Sequence, residues 1–237
     1  MVTAPGMGPG MGPGMGTDIV RLDASAVRAS VQVVYRAGPA DLARSTPCEG
    51  WTLADLLAHM TAQHNGFAAA AAGDGADLVR WQTGAPAADP VEEYATAAAR
   101  VMEVFGAPGV LDRDFALPEI SPQLRFPAEQ AIGFHRVDYV VHGWDVARAL
   151  GLRYDLEPAL LAAALPIARS VPDGPNRRRP GASFAPRVAV TRGGTLDQIV
   201  ALLGRRPGWP ALPRATARSP GLPLDRRGYR SIARGYR

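Results

Sequence analysis

The stretch FPAEQAIGFHRVDYVVHGWDVARALG, residues 126–151, decides the fold. Pro127 stands where a helix can begin and Gly151 where it can end. Between them the residues are apolar on most sides of a helix and leave only one narrow polar arc. The sequence therefore predicts a long helix that is central in the fold and mostly buried.

Helical patterns also precede and follow this segment. Residues 52–72, TLADLLAHMTAQHNGFAAAAA, open with Thr52 and Asp55 at the spacing of a capping box. The other segments predict a first helix over 17–37 and a third from Asp89 to about residue 107. A fifth helix is predicted over 157–171, and Pro166 is expected to break or kink it. A short extended piece over 185–191 and a last helix over 195–204 follow. We expect an all-α fold of four principal antiparallel helices with short loops and short additional C-terminal elements.

The two ends of the chain differ in composition from its middle. Residues 1–16 consist largely of Gly, Pro and Met, which suits a disordered N-terminus. Residues 17–210 are expected to form the one helical-bundle domain. Residues 211–237 belong to an Arg-rich stretch, which we interpret as a flexible tail.

Charge gives little support to a nucleic-acid partner. All 26 basic residues are Arg, which indicates a compositional bias of the genome rather than a selected basic surface. From Arg205 to the end there are nine Arg and one acidic residue, Asp225, and a solvated extension explains this run better than a binding arm. No stretch is long and apolar enough to span a membrane, and the single Cys48 suits a reducing cytoplasm.

The four histidines all lie on the second and fourth helices. Asp138 and His142 are four residues apart, which places them about 40° apart on one helix face, where both can reach one ion. His135 falls within the same arc of about 60° and could be a further metal ligand, although we favour a support for a ligand, a substrate contact or a proton carrier.

On the second helix only one histidine can face that ion, because His59 and His64 diverge by about 140°. The apolar stripe includes His64, which favours a satisfied core histidine, while His59 lies at its polar margin. Imidazole and carboxylate ligands suit Zn, Ni, Mn or Fe(II), and three of them leave a position open. Spacing alone also allows the Asp138–His142 pair to be an ordinary hydrogen-bonded pair.

Other conspicuous residues have plainer interpretations. Trp144 is expected in the core, Cys48 in a loop with a packing role, and Asp145 with Arg148 in a structural polar network.

The segments TPCEGWTLADLLAHM and HRVDYVVHGWDVARALG resemble, in order and separation, the metal-binding helical proteins related to mycothiol-dependent maleylpyruvate isomerase, of the DinB-like superfamily and its short actinobacterial type. The resemblance covers roughly residues 18–210. It implies a DinB-like antiparallel four-helix bundle with a divalent metal, zinc first and Ni, Mn or Fe as alternatives, held by His59, Asp138 and His142. The acidic ligand in isomerases of this type is usually Glu, whereas this chain has Asp138.

Two functions of different classes follow. The resemblance implies a metal-dependent enzyme that uses a small thiol, mycothiol, in a transfer or isomerisation of a small organic electrophile. The alternative is a non-thiol or metal-free protein that serves as a scaffold or a biosynthetic pocket. The sequence leaves open whether the chain forms a homo-oligomer.

Overall fold

The computed structural model describes residues 13–84, 87–179 and 182–210. Of the N-terminus predicted to be disordered, residues 1–16, the first twelve lie outside the described residues and residues 13–16 belong to the first helix, so the prediction is wrong for those four. The predicted flexible tail, residues 211–237, also lies outside the described residues. The described chain forms helices α1 (Pro13–Val34), α2 (Leu53–Ala72), α3 (Pro90–Phe105), α4 (Ala128–Leu150), α5 (Pro158–Ser170) and α6 (Thr195–Leu202), with strands β1 (Asp114–Ala116) and β2 (Arg125–Pro127).

The helix boundaries follow local chemistry that the sequence displays. Asp55 Oδ2 accepts a hydrogen bond from the backbone N–H of Thr52 at 2.9 Å, and Thr52 Oγ1 accepts one from that of Asp55 at 3.2 Å, so the predicted capping box is confirmed. Asp89 caps α3, and Gly151 ends α4 with a φ of +72°, in the left-handed region that favours glycine. Helix α1 begins at Pro13, earlier than the predicted start at Thr17.

Helix α4 is the central element, as predicted. It packs against α1, α2 and α5, and most of its residues are buried. The all-α fold is confirmed, since within the described residues the only sheet is the short antiparallel pair of β1 and β2. That hairpin was not predicted.

Side-chain contacts give the directions of α1, α2 and α4. Asp23 contacts His135 and Ser30 lies beside Gly143, so α1 and α4 run the same way. His142 lies against His59, whereas His135, two turns earlier on α4, bonds to the later His64. Helix α2 therefore runs opposite to α4.

Helix α3 shares the direction of α2. Ser30, late in α1, bonds to Tyr94, early in α3, and Val20 shares a surface cleft with Phe105 at the end of α3. Two consecutive helices that run in the same direction need a connection that returns along the bundle. The prediction of short loops is therefore wrong for residues 73–89, which carry a 3-10 turn at Leu78–Trp81.

The C-terminal elements pack as an additional layer, in which α5 contacts α1, α4 and α6. Helix α5 continues through Pro166, so of the predicted break or kink the break does not occur. Residues 185–191 form no strand, although the backbone N–H of Val188 bonds to the carbonyl oxygen of Ala201 at 2.9 Å. None of the described helices is both long and apolar enough to cross a membrane.

The close packing of Gly143 in α4 against Tyr154 and against Ser30 of α1 gives a testable prediction. A Cβ on Gly143 would overlap the Tyr154 phenol and lie 3.2 Å from Ser30 Cβ. We expect Gly143→Ala to lower the free energy of unfolding by about 1–2 kcal/mol in urea titrations, because the overlap outweighs the gain in helix propensity. Gly133→Ala is the matched control, since its Cβ would meet chiefly the mobile end of Ile167 at 2.9 Å. Equal stability of the two variants would contradict the packing described.

Candidate metal centre

The structure brings His59, Asp138 and His142 together between α2 and α4. One potential ligand atom from each residue lies within 4.8 Å of the other two. His142 Nε2 is 3.4 Å from Asp138 Oδ1, and the rings of His142 and His59 have centroids 5.2 Å apart. The antiparallel pairing of α2 and α4 produces this convergence, since it brings the early part of α2 beside the late part of α4.

This donor set fits a divalent metal ion. Zinc bonds to nitrogen and oxygen of about 2.1 Å in a tetrahedron place neighbouring ligand atoms roughly 3.4 Å apart. The separation between His142 Nε2 and Asp138 Oδ1 has this value. The shorter side chain of Asp138, compared with Glu, therefore still comes within reach of an ion bound by His142 Nε2.

The surroundings keep one histidine neutral and the other charged in the absence of a metal. Burial lowers the pKa of His59 to about 4, with help from the nearby His142 and Arg205, while Asp138 opposes the shift. Burial also acts to lower the pKa of His142, but Asp138 and Asp145 outweigh it and raise that pKa to about 10. His59 thus offers a free lone pair at neutral pH.

A second group of potential ligands lies on the other side of His142. Cys48, His142 and Asp145 also have ligand atoms within 4.8 Å of one another. Arg205 Nη2, however, donates to Asp145 Oδ2 at 3.0 Å and to Cys48 Sγ at 3.4 Å. A guanidinium in this position repels a second cation, so the chemistry favours the group on the Asp138 side.

The remaining sequence interpretations have mixed outcomes. Trp144 is buried in the core and Arg148 lies over its ring, as expected for structural residues. Asp145 does not pair with Arg148, whose guanidinium donates to the carbonyl oxygen of Pro207 at 2.9 Å. Asp145 pairs instead with Arg205. The sequence did not predict this pair, because Arg205 begins the Arg-rich stretch at the end of the chain and no spacing pattern links it to α4.

His135 and His64 form a separate network inside the bundle. His135 is fully buried, with Nδ1 2.7 Å from Asp23 Oδ1 and Nε2 3.1 Å from His64 Nδ1. His64 stacks on Tyr139 at 3.8 Å between ring centroids, which confirms its place in the core, but its buried Nε2 has no hydrogen-bond partner among the described residues, so the expected satisfied histidine is only partly confirmed. Within the described part of the chain, no side-chain hydrogen bond joins His135 to the three candidate ligands. Its role as a proton carrier stays a prediction.

The buried His64 gives a pH prediction. Burial and the neighbouring His135 hold the pKa of His64 well below its ordinary value, so below about pH 6.5 the unfolded chain binds a proton that the folded chain does not. Stability is retained above that pH and lost as the pH falls. In His64→Asn, which keeps a polar group toward His135, we expect the unfolding free energy to fall less steeply between pH 6.5 and 5, by up to about 1.4 kcal/mol per pH unit. Identical slopes in urea titrations would contradict a neutral, buried His64.

Comparison with known proteins identifies the family of this chain. Residues 24–147 match the family described as the mycothiol maleylpyruvate isomerase N-terminal domain, and the matched part contains all three candidate ligands. The chain belongs to this family. Two uncharacterized proteins, from two strains of Mycobacterium tuberculosis, are each 33% identical to it over 189 residues, which cover 76% of this chain and 91% of the relative. No solved structure shows significant similarity to the chain.

Proposed function

We propose that this protein binds one divalent metal ion through His59, Asp138 and His142 and uses it with a low-molecular-weight thiol, in a transfer or isomerisation of a small organic electrophile. The observation that carries the proposal is the convergence of two imidazoles and one carboxylate within 4.8 Å. Zinc is the metal that suits these ligands best, with Ni, Mn and Fe(II) as alternatives. Membership of a family named for a mycothiol-dependent isomerase supports mycothiol as the thiol.

A bound divalent metal lowers the pKa of a thiol that it coordinates, because its positive charge stabilises the thiolate. Two neutral imidazoles and one carboxylate leave such a site with a net positive charge, which attracts an anionic sulfur. Three protein ligands also leave a fourth position open. The protein then needs neither a cysteine nor a serine of its own as nucleophile.

Access to this centre comes from the side of Asp138 and Trp51. The Asp138 side chain is 21% exposed, whereas His142 is buried. Trp51 lies edge-on to the His59 ring at 4.9 Å between centroids and is 37% exposed. An incoming small molecule would therefore meet an aromatic rim before it reaches the histidines.

Metal binding is tested by elemental analysis and zinc titration of protein purified without an affinity tag. We expect one divalent ion per chain in the wild type and its loss in His142→Ala, because removal of one of three ligands leaves too few donors. Asp138→Asn should weaken zinc binding, whereas Asp155→Asn, the control at an exposed carboxylate, should not. Retention of stoichiometric metal by His142→Ala would refute this assignment of ligands.

Thiol use is tested separately with cobalt-substituted protein. We expect mycothiol to produce a saturable sulfur-to-cobalt absorption band, and we expect the band to be absent in His142→Ala. Metal binding without any response to mycothiol would favour a non-thiol function. A wild-type protein without metal would favour the scaffold or biosynthetic pocket.

A further inference from the structure

His142 lies between two carboxylates, one at each ring nitrogen. Nε2 faces Asp138 at 3.4 Å, on the side of the candidate metal, and Nδ1 lies 3.0 Å from Asp145 Oδ2. An imidazole that binds a metal through one nitrogen carries a proton on the other, and the acceptor of that proton fixes the orientation of the ring. Asp145 is placed to be that acceptor.

Asp145 is a buried carboxylate that several contacts hold in place. Asp145 is completely buried, and an unpaired carboxylate there would be strongly destabilising. Arg205 compensates its charge, with Nη2 3.0 Å and Nε 3.3 Å from Oδ2. Cys48 Sγ contacts the same oxygen at 3.3 Å. The carboxylate is therefore held at several points and has little freedom to turn away from His142.

Arg205 is itself held in place. Its Nη1 donates to the carbonyl oxygen of Leu203 at 2.9 Å, and its guanidinium lies 5.9 Å from the ring centroid of Phe184. It follows α6 and lies outside residues 24–147, the part that matches the family. The C-terminal elements thus place a positive charge against Asp145 of α4, beside the candidate metal centre between α2 and α4.

We propose that Asp145, fixed by Arg205, is a positioning residue of the metal centre: it accepts the proton of His142 Nδ1 and so leaves Nε2 to bind the metal. This inference rests on the proposed metal function. Asp145 and Arg205 do not touch the metal or the substrate, and they act through His142.

A second arginine, Arg177, provides a control that distinguishes positioning of His142 from simple attachment of the C-terminal segment. Arg177 is also buried, and it donates to the carbonyl oxygens of Pro172, Ala185 and Leu202 without contacting Asp145. It ties the same segment together through these carbonyl groups, an ion pair with Asp173 at 3.6 Å and the Phe184 ring, which Arg205 also contacts. We therefore expect Arg177→Gln to loosen that segment without removing any hydrogen bond of Asp145 or His142.

The test compares zinc affinity, the nitrogen-15 resonances of the histidine rings in the zinc-loaded protein, and unfolding in urea. In the wild type we expect His142 to be protonated at Nδ1 and bound through Nε2. In Asp145→Asn and in Arg205→Gln we expect about 10- to 100-fold weaker zinc binding, with changed His142 ring resonances. If either single variant fails to fold, Asp145→Asn combined with Arg205→Gln replaces the ion pair by a neutral amide pair and is measured in the same way.

The control Arg177→Gln should lose stability but keep the zinc affinity and the His142 resonances of the wild type. Wild-type affinity and resonances in Asp145→Asn and Arg205→Gln would overturn the positioning role and leave the metal centre standing. An equal loss of affinity in Arg177→Gln would also overturn it, because the effect would then come from the segment as a whole. Absence of zinc binding in the wild type would instead remove the proposed function, and this inference with it.

Discussion

Helix α4 is buried around nearly its whole circumference, so its polar side chains depend on partners from neighbouring helices rather than on water. Asp23 of α1 meets His135, His59 of α2 meets His142, and Arg205 beyond α6 meets Asp145. These contacts fix how α4 sits between its neighbours. The candidate metal centre lies at one of these contacts, where His142 of α4 meets His59 of α2.

Two aspartate–histidine pairs involve α4, Asp23 with His135 and Asp138 with His142. They are chemically similar but differ in their exposure to solvent. His135 and Asp23 form a close pair with almost no exposure. Asp138, beside His142, keeps a fifth of its side chain exposed. A small molecule can therefore approach the second group and has no comparable route to the first. The two aspartate–histidine pairs thus differ in exposure: the pair with His135 is enclosed, and the pair with His142 borders the solvent.

Much of the fold is legible in the sequence because its signals are local. The capping pair at Thr52 and Asp55 and the terminal Gly151 act within one turn of a helix. The spacing of Asp138 and His142 likewise follows from helix geometry alone. The directions of the helices are not legible, since they depend on which faces pack together.

The site was only partly predictable for the same reason. Periodicity placed His59 at a polar margin and His64 in a stripe, but it could not show that the margin faces α4. The pairing of Asp145 with Arg205 joins residues far apart in sequence, and no local pattern announces it. Local rules thus find candidate ligands, while long-range packing decides what surrounds them.

The reach of Arg205 into the bundle has a consequence for how relatives of this chain can diverge. A helical core that keeps Asp145 inherits a buried negative charge, and exchange of the segment after α5 for one without a matching cation would leave that charge uncompensated. The two positions are thus expected to change together during evolution. Recombination between genes of this family is expected to give a stable protein most often when the codons for Asp145 and Arg205 come from the same parent gene.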